Sequence, residues 1–149
     1  MKINFIYNGI RLSDFGKIDK KVFKENIKYI IKNISTEENI KLSYISLIFC
    51  NDEIIRDYNK KYLNHDYETD IITFHDTDEK SQTEGELLIS LETVKYNSER
   101  FKTIYENEIY RVIIHGVLHL CGYKDKTSAE KSKIRKKEDF YLNRLKQKI

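Results

Sequence analysis

The sequence lacks proline and tryptophan, and its 149 residues include only five glycines, two cysteines and one methionine. With no stretch rich in Gly, Ser or Pro to form a linker, we expect a single domain over residues 1–149. A run of about 18 apolar residues is also missing, which excludes a membrane-spanning helix. The residues after Met1 alternate like a strand and lack the pattern of a secretory leader. We therefore expect a cytoplasmic protein with free thiols at Cys50 and Cys121.

Charge is distributed unevenly along the chain. Hydrophobic residues make up 40% and charged residues 34%, a balance typical of a soluble globular protein, and the net charge is only +3. From Lys124 to Ile149, however, ten Lys and Arg residues face four Asp and Glu residues, a net +6 that leaves −3 for residues 1–123. This asymmetry is compatible with a polyanionic partner, although a solvated Lys-rich helix would have the same composition.

Residue patterns predict four strands and five helices. The strands are Lys2–Tyr7, Leu42–Cys50, Asp70–His75 and Gly85–Leu91. The helices are Asp19–Asn33, Asn51–Leu63, Glu92–Phe101, Glu106–Leu120 and a last one from Ser128 to near the end. The expected N-caps include Asp19, Asn51 and either Thr127 or Ser128, and the polar segment Asp76–Glu84 suits a hairpin-type loop. This order predicts an α+β fold, with a small mixed β-sheet packed against several helices.

A possible metal site lies at the end of the fourth helix. His115 and His119 are four residues apart, so both side chains project from one helical face, about one turn apart. Gly122 can end the helix and let the chain return with Asp125 as a third ligand. Three protein ligands with an open fourth position are typical of catalytic Zn²⁺. We therefore expect one Zn²⁺ per chain, bound by His115, His119 and Asp125 at the end of a buried helix.

An i, i+4 histidine pair is a weak signal alone, because two helical histidines are often polar surface. Here apolar residues surround the pair, and histidines buried among them would need partners, which a metal supplies. Cys121 lies about 200° around the helix from His119 and should face away from the metal. His65 and His75 lie near strand or loop ends, where a surface position is the commoner outcome.

The helix differs from that of the zinc proteases. In the H-E-x-x-H motif the residue after the first histidine is the general base, and here that residue is Gly116. Glycine cannot accept a proton, so no catalytic side chain is identified. A metal-bound water of lowered pKa remains the expected nucleophile.

Three segments resemble the YbeY family of bacterial metal-dependent endoribonucleases. Residues 115–125 are similar to the family signature H-G-x-L-H-L-x-G-Y-D-H, with matches at His115, Gly116, Leu118, His119, Leu120, Gly122 and Tyr123. Residues 69–74, T-D-I-I-T-F, resemble the family's T-D-V-L-S-F strand, and residues 85–90, G-E-L-L-I-S, resemble its G-D-I-x-I-S strand. The resemblance implies a zincin-like fold and cleavage of single-stranded RNA during 3′-end maturation of small-subunit ribosomal RNA. It also implies the ribosome as a partner.

The sequence departs from the family pattern at three positions. Asp125 takes the place of the family's third histidine, and Lys124 that of the aspartate before it. Leu63 stands where members usually carry an arginine that is thought to face the substrate, and a leucine cannot neutralise a phosphate. Lys60, Lys61 and His65 are the candidates to contact RNA in its place.

Two other functions fit the same sequence. One is a non-catalytic ribosome-assembly factor whose metal only stabilises the fold, an interpretation that Leu63 favours. The other is a zinc hydrolase acting on a peptide or a small ester, for which Gly116 removes the usual protease route but not hydrolysis in general. An open coordination position favours an enzyme, and a fourth protein ligand favours a structural metal.

Overall fold

Four strands form one mixed sheet in the computed structural model, which describes residues 1–148. The strands are β1 (Lys2–Tyr7), β2 (Lys41–Cys50), β3 (Ile71–Thr77) and β4 (Gln82–Ser90). Their order across the sheet is β1-β2-β4-β3, with β1 and β4 parallel to β2, and β3 antiparallel to β4. The parallel pairs need crossovers, which helices provide.

Five α-helices complete the described chain, and the predicted α+β class is confirmed. The helices are α1 (Lys20–Glu37), α2 (Asp52–Leu63), α3 (Leu91–Arg100), α4 (Tyr105–Leu120) and α5 (Ser128–Gln147), with a short 3-10 turn at Leu12–Asp14. Asp19, Asn51 and Thr127 accept backbone N–H groups as N-caps, as predicted. Among the described residues, no helix has the length and apolar character needed to cross a bilayer.

Some element boundaries differ from the prediction. The polar segment Asp76–Glu84 is mostly strand, because β3 continues to Thr77 and β4 begins at Gln82. The turn between them is held by Asp78, whose carboxylate accepts the N–H groups of Lys80 and Gln82. Local hydrogen bonds of this kind are a general property of Asp in turns, and here they shorten the loop.

Helix α4 lies at the centre of the hydrophobic core. Its apolar residues Ile109, Ile113, Ile114, Val117 and Leu118 are fully buried. They pack with residues of α1, α5, β2 and β4 in one continuous cluster. A helix that is apolar on most of its surface is stable only when surrounded, so its few polar side chains must share the remaining open side. His115 and His119 lie on that side, at the end facing β3.

Gly116 allows α4 to lie close against the sheet. A Cβ at this position would lie 2.6 Å from Ile71 Cδ1 and 2.7 Å from Leu87 Cδ2. The contact therefore leaves no room for the glutamate of a zinc protease. The same close approach recurs one turn later, where a Cβ on Gly85 of β4 would lie 2.5 Å from Leu120 Cδ1.

We expect Gly116→Val to lower the free energy of unfolding by about 1–3 kcal/mol, because the new side chain overpacks this interface. Chemical denaturation of both proteins measures the difference. Ser132→Val, on the exposed face of α5, is the control and should change stability by less than about 0.5 kcal/mol. Equal stability of Gly116→Val and the parent would show that the interface is loose.

Candidate metal centre

Three side chains converge at the C-terminal end of α4. His115 Nε2 lies 2.9 Å from His119 Nε2 and 3.1 Å from Asp125 Oδ2, and His119 Nε2 lies 3.3 Å from the same oxygen. The two imidazole side chains are each 23% exposed, so they are half-buried rather than fully buried. The structure therefore brings together the three residues that the sequence spacing groups, Asp125 included.

The Nδ1 atom of each imidazole already has a partner. His115 Nδ1 lies 2.7 Å from Glu138 Oε2, and His119 Nδ1 lies 2.8 Å from the carbonyl oxygen of Tyr123. Both partners are acceptors, so each Nδ1 donates a proton to them. When both rings are neutral, Nε2 is the unprotonated nitrogen of each, so two nitrogens and a carboxylate oxygen converge as potential metal ligands.

A divalent cation would satisfy such a set of acceptors. The three ligand atoms could hold a metal ion, since they all lie within 4.8 Å of one another. Zinc bonds of about 2.0–2.2 Å in a tetrahedron would separate them by roughly 3.4 Å, slightly more than in the structure. Carboxylate and imidazole groups are also among the ligands that bind Zn²⁺ in proteins. The observed residues therefore fit a divalent metal.

The charges around His115 also favour a cation. Desolvation lowers its pKa, but the hydrogen bond with Glu138 and the charges of Glu138, Asp125 and Asp70 outweigh that effect, so the pKa is raised. Glu138 is only 5% exposed and also accepts a hydrogen bond from Arg111 at 2.9 Å. The guanidinium offsets part of the cost of burying this carboxylate.

A tight turn delivers Asp125 to the histidines. Helix α4 ends at Leu120, and the N–H of the C-cap residue Cys121 donates to the carbonyls of Val117 and Leu118. Gly122 then adopts a φ of +99°, a left-handed conformation that favours glycine. Cys121 lies outside the convergent group, as predicted, and both Cys50 and Cys121 are free thiols.

Glu38, the C-cap residue of α1, holds the same turn through a hydrogen bond from Tyr123. Its carboxylate accepts the hydroxyl protons of Tyr123 and Tyr141 and lies 3.3 Å from Lys137 Nζ. Burial raises the pKa of Glu38, but these two hydrogen bonds and the lysine outweigh it and leave the pKa lowered. The interaction thus joins α1 and α5 to the loop that carries Asp125.

A cleft of about 450 Å³ opens over the convergent group. Leu63, His65 and Tyr67 line it together with Asp70, Lys126 and the three converging residues. Leu63 therefore faces the cleft at the position of the family's arginine. Lys60 and Lys61 are exposed on the last turn of α2, outside this lining. His75 lines a different surface with Tyr44 and Glu86.

A second cleft, of about 270 Å³, lies on the other side of His115. Its lining includes Arg111, Lys131, Arg135 and Asp125. Asp70 lines both clefts, and desolvation raises its pKa despite the nearby His115. The two clefts thus meet at the convergent group, with cationic side chains from α5 on one side.

Sequence reasoning missed Glu138, Glu38 and Asp70. The only signal for Glu138 was its spacing, because it falls on the buried stripe of α5 that contains Ile134, Tyr141 and Leu142. A carboxylate on an apolar stripe needs a buried partner, so the pattern could have pointed to one of the histidines. Glu38 carries no such local signal, and Asp70 was singled out only as part of the segment that resembles the family's T-D-V-L-S-F strand.

Fold and site together define an α+β protein with a His–His–carboxylate group at the end of a buried helix. The family model described as Endoribonuclease YbeY matches residues 11–146. The chain is 44% identical to the Endoribonuclease YbeY of Bacteroides fragilis over 99% of its length and 100% of that protein's, and 40% identical to that of Karelsulcia muelleri over 98% and 97%. The chain belongs to the YbeY family, which confirms the resemblance and makes it an enzyme of the hydrolytic nuclease class.

A solved structure shows the same fold. The solution structure of a Thermotoga maritima protein superimposes with a TM-score of 0.63, covering 96% of this chain and 88% of the other at 24% identity. At this level of identity the similarity concerns the fold alone.

We expect Glu38→Gln to destabilise the protein by roughly 1–3 kcal/mol at neutral pH, because a charged acceptor of several hydrogen bonds is replaced by an amide. In the folded parent the pKa of Glu38 is lowered from 4.5. The stabilisation by its charge is therefore complete above that value and is lost as the pH falls through the folded-state pKa. The difference in free energy of unfolding between the parent and Glu38→Gln should therefore disappear at acid pH. Denaturation curves at several pH values measure it.

Glu37→Gln is the matched control, because Glu37 forms only a partly exposed ion pair with Arg144. We expect it to cost less than about 1 kcal/mol at any pH. If the free energy of unfolding of Glu38→Gln stays below that of the parent by a constant amount down to acid pH, the carboxylate charge has no role.

Proposed function

We propose that this protein is a zinc-dependent endoribonuclease that cleaves single-stranded ribosomal RNA at the 3′ end of the small-subunit rRNA. We further propose that it acts as a single domain in the cytoplasm, with the ribosome as its partner. One observation carries the proposal most: two imidazole nitrogens and a carboxylate oxygen converge in a solvent-open cleft of an endoribonuclease-family chain. Cationic side chains beside this group suit a phosphate-bearing substrate.

His115, His119 and Asp125 are the proposed zinc ligands. Zinc at this position would polarise a phosphoryl oxygen and make water more acidic, which is what phosphodiester hydrolysis needs. Glu138 and the Tyr123 carbonyl keep both Nδ1 atoms protonated, so the Nε2 lone pairs stay directed at one point. Outer partners of this kind orient ligands and make them more basic.

The chain's own cations hold the phosphate. Lys126 lines the main cleft, and Lys131 and Arg135 line the second one, so positive charge flanks Asp125 from α5 and the turn before it. These residues supply the neutralisation that Leu63 cannot. The exposed Lys60 and Lys61 extend this surface along α2, and His65 contributes from within the cleft. Asp70, between the clefts, is placed to hold or move a proton.

The specific observation in favour of a second function is Leu63 in the cleft lining. Without an arginine there, the protein could bind ribosomal RNA during ribosome assembly without cleaving it. Both functions use the same RNA surface and metal, so they differ only in turnover.

We expect the purified protein to hold about one zinc per chain and to cut single-stranded rRNA fragments, with cleavage lost in chelator and restored by zinc. Asp125→Ala leaves two ligands and should lose most of the metal and the cleavage, whereas Asp125→His keeps three ligands and should retain the metal. Elemental analysis and a gel-based cleavage assay measure both. Glu25→Ala, which removes an exposed carboxylate from α1, is the control.

Full zinc occupancy in Asp125→Ala would show that the third ligand lies elsewhere. Metal binding without cleavage by the parent protein would favour the assembly factor.

We expect RNA binding to weaken steeply with salt, because phosphate contacts release counterions. Each contact adds roughly 0.7 to the log–log slope for single strands, so Lys126→Ala should reduce the slope by about that amount. Lys28→Ala, on the exposed side of α1, should leave it unchanged. Fluorescence anisotropy at several salt concentrations measures the slope. A flat dependence would show that the Lys-rich segment is only a solvated surface.

A further inference from the structure

Two aromatic rings are stacked inside the main cleft. The His65 and Tyr67 ring centroids lie 5.2 Å apart with an interplanar angle of 15°, and Tyr67 Oη lies 3.1 Å from His65 Nδ1. Tyr67 is nevertheless 52% exposed. Both rings line the cleft that contains His115 and His119, so an accessible π surface faces the same space as the proposed metal ligands.

The segment that carries the pair is held by specific contacts. Helix α2 ends at Leu63, and its C-cap residue Asn64 has a left-handed φ of 56°. The N–H of His65 donates to the carbonyl of Asn59. The Asn59 side chain is buried, and its amide donates to the Tyr67 carbonyl at 3.0 Å. Arg56 and Asp66 form an ion pair at 2.9 Å across the same turn. An exposed aromatic pair is therefore fixed in place rather than left on a loose loop.

We infer that the stacked His65–Tyr67 pair is a platform for an unpaired nucleobase of the RNA substrate, an inference that rests on the proposed function. Every base has a π face, and aromatic side chains in single-strand binding proteins stack on it. The bases of a duplex are stacked on each other and cannot reach such a platform. Stacking here selects a single strand at the cleavage site.

The composition of the cleft lining supports this assignment. Leu63, His65 and Tyr67 come from the end of α2 and the segment after it, and they present apolar and aromatic surface. Lys126 comes from the turn before α5 and presents charge. A nucleotide has the same two parts, a flat base and a charged phosphate. Leucine at position 63 suits a base-contacting wall better than a phosphate-contacting one.

A neighbouring aromatic cluster does not serve this purpose. Tyr62 packs against Tyr58 at 5.5 Å and against Phe74 at 5.9 Å between ring centroids. These three residues lie outside the cleft lining. Within the main cleft, the aromatic surface beside the His–His–Asp group is therefore that of His65 and Tyr67.

The test is a binding measurement on the zinc-loaded protein, with a short 2′-O-methylated RNA single strand and an identical strand whose bases are replaced by abasic riboses. We expect Tyr67→Leu to weaken binding of the base-bearing strand by about 5- to 150-fold, the range for loss of one base–aromatic stack. Tyr67→Phe keeps the ring and should bind within about twofold of the parent. The abasic strand should bind the parent and both variants equally.

Two further readouts separate stacking from charge. Because Tyr67→Leu removes no phosphate contact, the salt slope of binding should not change. Tyr96→Leu removes an exposed tyrosine from α3, away from the cleft, and should bind both strands like the parent. Thermal denaturation checks that each variant is folded.

Unchanged binding by Tyr67→Leu would overturn the platform, and so would an equal loss of binding on the abasic strand or in Tyr96→Leu. If the parent protein still cleaves RNA, these results leave its proposed function intact. A parent protein that neither binds nor cleaves single-stranded RNA would overturn both.

Discussion

The organisation of the site depends on the hydrogen bonds that occupy the Nδ1 atoms of His115 and His119. Glu138 and the Tyr123 carbonyl are both acceptors, so they fix which nitrogen of each ring carries the proton. The Nε2 atoms are then left as acceptors facing Asp125. Since one partner comes from α5 and the other from the turn after α4, docking of the last helix and closure of the turn complete the site together.

Much of the fold could be predicted because its elements have strong local signals. Helix α4 has a long apolar pattern, and Asp19, Asn51 and Thr127 cap their helices as their residue types indicate. The strand order was not predictable, because the pairing of β2 with β4 depends on how the helical crossovers pack and not on any local sequence. The loop after β3 was predicted too long, since a polar strand edge resembles a loop in composition.

For the site, sequence spacing was sufficient where all residues belong to one segment. His115, His119 and Asp125 lie within eleven residues, so one helix and one turn determine their geometry. Glu138 contacts His115 from 23 positions away, and Glu38 contacts Tyr123 across 85. Such contacts appear only when α1 and α5 are docked. The stacking of Tyr67 on His65 likewise depends on the buried amide of Asn59, which no composition pattern indicates.

The most direct test of the account is X-ray absorption spectroscopy at the zinc edge of the metal-loaded protein. The proposed ligands predict two imidazole nitrogens and a carboxylate oxygen at about 2.0–2.2 Å, with no sulfur in the coordination shell. A fourth, exchangeable oxygen from solvent would agree with an open catalytic position. A sulfur scatterer at about 2.3 Å would place Cys121 on the metal and contradict the proposed site.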